Sequence, residues 1–196
     1  MALRSQVRDD PAVQGQKLTF MPFFIKAASL ALESFPLVNS SLAPDGQSVL
    51  QHRTINVGVA VATPHGLAVP NIKHVERLSI LEIAAEMTRL HEAALRNALK
   101  PADVQGGTFT LSNIGTVGGT YATPLVNGSE VAIMALGRVS AQPRFAPGSD
   151  AVQRAHLLNV SLGADHRVVD GAMLAGFAQA WRRFVEQPGR MLLQLR

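Results

Sequence analysis

The sequence predicts an α/β or α+β domain built on a mixed sheet, and three observations point there. Helical and strand patterns are interspersed without strict βαβ alternation. At least one hairpin is implied, residues 54–62 returning as 67–72 across Thr63-Pro64-His65-Gly66. Two apolar strands, 131–139 and 157–164, are separated by a polar loop, rich in proline and glycine, from 142 to 150.

Each element has a local reason. Residues 2–7 read as the tail of a helix, with no cap before them, so the chain is expected to begin inside a larger domain. From 21 to 35, Phe24, Ala27, Ala28, Ala31 and Phe35 recur at helical spacing, and Pro36 stops the helix. The 54–62 run alternates and is β-branched, a strand signal. Ser79 with Glu82 three residues on forms a capping box that opens a helix to about 95. Residues 108–112 read as a strand running into a glycine-rich loop, 113–120. An amphipathic helix over 170–186 ends before Pro188 and Gly189.

Composition narrows the function classes. Of the 196 residues, 47% are hydrophobic and 16% charged, enough for a packed core. The absence of cysteine excludes disulfides, thiolate zinc sites and cysteine nucleophiles. A net charge of +4 and 5% aromatics argue against nucleic acid as a partner. No stretch approaches the ~20 apolar residues of a membrane helix, and the first residues are charged where a signal peptide would be apolar. A cytoplasmic or organelle-matrix location is expected. No His pair stands at i, i+4 and no HExxH occurs, so no metal site is expected.

Two segments could carry chemistry. His166 lies where an apolar strand ends, with Asp170 four residues on at a helix start. A histidine beside carboxylates suits a general base near pH 7. The same spacing equally suits a hydrogen-bonded surface histidine with Asp170 as a helix cap. Ser112 and Asn113 end a strand at the glycine-rich turn, where hydroxyl and amide can point into a site or simply begin the turn. The turn is neither a Walker loop nor a GxSxG elbow.

Taken together, the two segments resemble a known family. HRVVDG at 166–171 is similar to the HxxxDG signature of dihydrolipoamide acyltransferases, the core components of 2-oxo acid dehydrogenase complexes. GGTFTLSNIGTVGGTYATPLVN at 106–127, FMPFFIKAASLAL at 20–32, FPLVNSSL at 35–42, NVGVAVATPHGLAVPNIK at 56–73 and MLLQL at 191–195 resemble the same family in order. The LSNIG and FMPFF forms resemble the branched-chain type most closely.

The resemblance implies one catalytic domain over 1–196, without lipoyl or peripheral-subunit-binding domains and lacking about 30 N-terminal residues of an ordinary-sized catalytic domain. It implies a fold like chloramphenicol acetyltransferase, a mixed sheet with flanking helices, assembled as a trimer. His166 of one subunit is then expected to act as general base facing Ser112 of its neighbour, with Ser112 on the oxyanion and Asp170 orienting the loop. Coenzyme A contacts carry over to Arg4, Thr19 (usually serine), His91 (usually glutamine), Ser112, Asn113, Gly137 and Val139. Ala62 departs from the family, which has aspartate there, and removes a polar contact. His65 is a loop position that varies in the family.

The implied activity is transfer of a short acyl group, branched-chain in type, from dihydrolipoamide to coenzyme A. The lipoyl group would arrive on a domain outside this chain, and the location would be cytoplasmic in a bacterium or mitochondrial matrix in a eukaryote. Trimers would build a 24-mer-type core that meets the dehydrogenase and dihydrolipoamide dehydrogenase components. Met191, Leu192, Leu193 and Leu195 would join trimers, or else anchor the terminus on its own subunit. Two other readings stay open: a core that assembles without catalysis, and an acyltransferase using free coenzyme A thioesters.

Overall fold

Local signals place the helices. The computed structural model describes residues 2–7, 10–13 and 18–194. Its helices are α1 (Ala2–Val7), α2 (Met21–Ser34), α3 (Ile80–Leu95), α4 (Pro101–Val104) and α5 (Gly171–Glu186). Pro22 sits in the first turn of α2, where its missing N–H costs nothing. The capping box of α3 is present. Glu82 N–H donates to Ser79 Oγ at 3.2 Å, and Ser79 N–H donates to Glu82 Oε2 at 2.7 Å. Among the described residues no helix is long and apolar enough to cross a membrane.

The strands are β1 (Ser40–Leu42), β2 (Val49–Gln51), β3 (Val57–Val59), β4 (Val61–Thr63), β5 (Gly66–Ala68), β6 (Asn71–Ile72), β7 (Phe109–Asn113), β8 (Ala132–Phe145) and β9 (Val152–Ala164). Five form a mixed sheet in the order β6-β3-β7-β8-β9. β3, β7 and β8 run parallel, and the edge strands β6 and β9 are antiparallel to their neighbours. β1 with β2, and β4 with β5, form separate two-stranded ribbons.

Three expectations are corrected. The 54–62 strand divides in two at Ala60, whose N–H is the last to follow the parallel β3–β7 ladder, donating to Leu111 O at 3.2 Å. β3 therefore stays in the main sheet while β4 pairs with β5, so the hairpin partner at 67–72 is divided as well. The loop expected over 142–150 is shorter: the ladder runs on to Phe145↔Val152. Pro143 is tolerated there because β7 pairs with β8 only as far as Leu136, leaving one side of β8 unpaired. The β1–β2 ribbon is an element that the residue pattern did not announce.

The two faces of the sheet differ in character. Phe109, Leu111, Met134 and Leu136 turn to one face and join α2, α3 and α5 in the core. There Phe177 meets Phe109 edge-on at 5.3 Å, and Trp181 Nε1–H donates to Phe24 O at 3.1 Å. The other face carries Gly58, Thr110, Ser112, Ala135, Ser161 and Gly163, small or polar residues at alternate positions of the same strands. The backbone after β7 lies directly on that face. A Cβ on Gly163 would stand 2.5 Å from Pro124 O, and one on Gly137 would stand 2.4 Å from Thr120 O. No side chain fits at either place.

A buried carboxylate fastens this face. Glu130 is 6% exposed and accepts hydrogen bonds from Thr110 Oγ1 at 2.7 Å and Asn127 Nδ2 at 3.4 Å. Burial outweighs those two bonds and pushes its pKa up to about 7. The folded protein thus keeps a proton that the unfolded chain releases near 4.5. Stability is therefore expected to fall as pH rises from 4.5 to about 7, by about 3 kcal/mol, and then to level off. Glu130→Gln should remove that slope, so that urea midpoints at pH 5 and pH 8 converge for the variant and differ for the parent.

Candidate active site

The C-terminal ends of β3 and β7 open onto a cleft of about 730 Å³, roofed by α3 and by the start of α2. Its size suits a large, flexible ligand. It gathers Thr19, His91, Asn113, Gly137 and Val139, five of the residues matched to coenzyme A contacts. Asn113 Oδ1 accepts from Gly115 N–H at 3.1 Å, so the side chain turns the backbone out of β7 into the glycine-rich segment. Gly115 lies on a bulge of β8, where the β8–β9 register shifts between Leu136 and Val139. Thr19 Oγ1 accepts from Met21 N–H at 3.3 Å at the mouth of α2.

Arg4 lines an adjoining cleft of about 330 Å³ that shares Phe20, Phe24, Val139 and Leu158 with the first. Its Nε–H donates to Leu18 O at 2.9 Å, and its guanidinium lies 4.9 Å from the centre of the Phe20 ring. Ala62 lines the main cleft without offering a polar side chain. Arg138 and Met87 also face the cleft and went unnoticed in the sequence. Arg138 was legible only as a charge next to a strand glycine. Glu130 was likewise missed, although a lone acid heading an apolar strand was a usable signal.

Ser112 is half-buried beside Asn113 and pairs with Ala135 of β8. His166 lies elsewhere. β9 is antiparallel to β8, and its last residue, Ala164, pairs with Ala132 at the beginning of β8. His166 therefore emerges at the end of the sheet where β7 and β8 begin. Ser112 is roughly 10 Å further along the strands and two strand spacings away, about 10 Å across. The His166 ring is exposed and makes no hydrogen bond among the described residues, and none of Ser112, His166 and Asp170 lines a described cleft. One chain does not bring His166 and Ser112 together.

Asp170 is the cap of α5: its Oδ1 accepts from Met173 N–H at 2.7 Å. It makes no hydrogen bond to His166. Asp165 holds the turn that bears His166, and three donor atoms of Arg167 converge on it. Those bonds push its carboxyl down to about 2. At the C-terminus Met191 is buried in the core, while Leu192 and Leu193 are 68% and 82% exposed. Leu195 lies outside the described residues.

With this geometry in hand, comparison with known proteins is decisive. The family model of the 2-oxoacid dehydrogenases acyltransferase (catalytic domain) matches residues 1–193. The chain belongs to this family. It is 46% identical over 194 residues to the mitochondrial lipoamide acyltransferase component of the branched-chain alpha-keto acid dehydrogenase complex of Mus musculus, covering 99% of this chain and 40% of that protein. The chain thus spans well under half of that relative's length.

Among solved structures it is similar to the dihydrolipoamide acetyltransferase of Azotobacter vinelandii, with TM-score 0.92 and 37% identity over 97% of this chain and 78% of that one. That structure accompanied a study of a serine, a histidine and an asparagine in the catalytic mechanism. The cubic core of the pyruvate dehydrogenase multienzyme complex is similar too, at TM-score 0.92 and 38% identity, covering 97% of this chain and 78% of that one. Chloramphenicol acetyltransferase, at 16% identity and TM-score 0.57 over 85% of this chain and 78% of that one, shares the fold expected from the sequence.

Proposed function

We propose that this chain is the catalytic domain of a lipoamide acyltransferase. It moves a short acyl group, branched-chain in type, from dihydrolipoamide to coenzyme A. The observation that carries the reading is the placement of the two reactive segments. At one end of the sheet Asn113 lines the cleft while Ser112, next to it on β7, turns to the opposite face, and at the other end stands an exposed histidine that no described residue hydrogen-bonds. A second copy supplies what one chain lacks, with His166 of one subunit facing Ser112 of the next. The exposed Tyr121 and Leu125, on the segment that covers the Ser112 face, suit burial against such a copy.

Thioester exchange sets the chemical task. A thiol of pKa near 8.5 is mostly protonated at neutral pH, and the thiolate is the nucleophile. His166 takes the coenzyme A thiol proton as the sulfur attacks the acyl carbonyl. Ser112 Oγ–H donates to the oxyanion that develops. As the oxyanion collapses, the carbon–sulfur bond to dihydrolipoamide breaks and His166 returns its proton to the leaving sulfur. Atoms and charge balance without an acyl-enzyme. Thr19, His91 and Asn113 offer side-chain contacts to coenzyme A, Gly137 and Val139 offer backbone, and Arg4 offers charge at the adjoining cleft. Asp170 acts on the loop through the α5 cap.

Trimers of this chain assemble into a 24-mer-type core that receives acyl groups on lipoyl domains and serves dehydrogenase and dihydrolipoamide dehydrogenase components. The test is acyl-coenzyme A formation from isobutyryl- and acetyl-dihydrolipoamide by the assembled protein. Transfer is expected, faster with isobutyryl. Ser112→Ala should lower kcat by about 10²–10³ with KM little changed, because the oxyanion exists only along the reaction path. An assembled wild-type protein without transfer would overturn the enzymatic reading in favour of a non-catalytic core.

A further inference from the structure

Among the described residues none hydrogen-bonds the His166 ring, so the backbone around it decides where it points. That backbone is anchored on both sides. The Asp165 N–H donates to Val131 O at 2.8 Å, tying the turn to the head of β8. The Asp165 carbonyl accepts from both Val168 and Val169 N–H at 3.0 Å, and Val169 is 1% exposed in the core.

Across the apex, Asp165 Oδ1 accepts from the Arg167 backbone N–H at 3.0 Å. The side chain of Arg167 folds back onto the same carboxylate. Nε–H reaches both oxygens at 3.0 and 3.2 Å, and Nη2–H reaches Oδ2 at 2.6 Å. Among the described residues all the side-chain hydrogen bonds of Asp165 thus go to Arg167, and the loop they close contains one residue, His166. A planar guanidinium held by two donor atoms fixes direction as well as distance.

We propose that the Asp165–Arg167 pair is the positioning device for His166, a role that rests on the acyl-transfer reading above. Asp170 is committed to capping α5 and does not share it. The pair fixes the turn before any second subunit or substrate arrives, which suits a base that must meet a thiol bound to another chain. Both residues act through His166 and neither touches substrate.

The experiment compares Asp165→Ala, Asp165→Asn and Arg167→Ala in the assembled protein. Three quantities are read: kcat, KM for coenzyme A, and amide exchange at residue 167. Asp165→Ala should lower kcat about 10- to 100-fold, as displacement of a reacting group by about an ångström does, with KM unchanged. The amide of Arg167 should exchange faster in that variant. Asp165→Asn keeps an acceptor for the Arg167 N–H and should recover most of the loss, while Arg167→Ala should fall between the two.

If wild-type transfer proceeds and Asp165→Ala retains kcat within twofold, the positioning role is overturned and the enzymatic reading stands. The same holds if KM rises as much as kcat falls, or if Asp165→Asn is no better than alanine. If the assembled wild type does not transfer, the enzymatic reading fails and this role fails with it, whatever the exchange data show.

Discussion

His166→Ala should lower acyl transfer by about 10²–10⁴-fold, the range that a positioned general base supplies. Fold and assembly state should be unchanged. The ring is exposed and has no hydrogen bond among the described residues, so its removal opens no cavity and strands no polar group there. A second measurement reads where the site is. His166→Ala and Ser112→Ala chains, each inactive, are unfolded, mixed in equal amounts and reassembled. If each site takes its histidine from one subunit and its serine from the next, about one site in four regains both groups in a symmetric trimer. Activity near a quarter of wild type is expected. No recovery from properly reassembled mixtures would put both groups in one chain and contradict the strand geometry.

Gly115→Ala should damage stability and activity together. A Cβ at that position would stand 2.6 Å from Gly137 O and 2.7 Å from Arg138 N. Both neighbours are backbone on the β8 bulge, so no side chain can rotate away. The segment after Asn113 must then lift, weakening the Arg138 N–H bond to Gly119 O, now 2.8 Å. Overpacking of this kind costs about 1–3 kcal/mol. In a domain of this size that is about 2–12 °C in Tm. Because Asn113 and Ser112 lead into the displaced segment, kcat should fall by at least tenfold. Gly171→Ala is the control: nothing lies within 4 Å of its Cβ, so Tm and kcat should hold. A Gly115→Ala protein as stable and active as that control would show that the bulge does not seat the catalytic segment.

Much of the architecture was legible because its causes are local. Ser79 with Glu82, Pro36 after Phe35, and Asp170 before an amphipathic run each act within a few residues, and all three helix boundaries follow from them. The residues that failed to announce themselves depend on distant partners. Nothing in Ser40–Leu42 or Val49–Gln51 marks a ribbon, since every residue of β2 is exposed and the ribbon is fastened by backbone pairing and by distant side-chain bonds such as that between Ser41 Oγ and His52 Nε2 at 2.9 Å. The division at Ala60 is a change of partner, from the distant β7 that holds β3 in the main sheet to the neighbouring β5 that pairs with β4. The polar run 142–150 looked like a loop because the outer parts of β8 and β9 are mostly exposed and need no apolar pattern.

The site divides in the same way. Ser112, Asn113 and His166 stood out in the sequence because chemistry of that kind needs those residue types at strand ends, and the family resemblance named their roles. The sequence by itself therefore determined the helix termini and the fold family, and it nominated the candidate reactive side chains. Only the tertiary structure decided where those side chains stand. Strand direction is a property of the whole sheet, and by running β9 against β8 the fold sends His166 to the end opposite Ser112. It also tied the turn that bears His166 to the head of β8, where Asp165 N–H donates to Val131 O, because long-range hydrogen-bond partners are assigned by space, and spacing in the chain only proposes them.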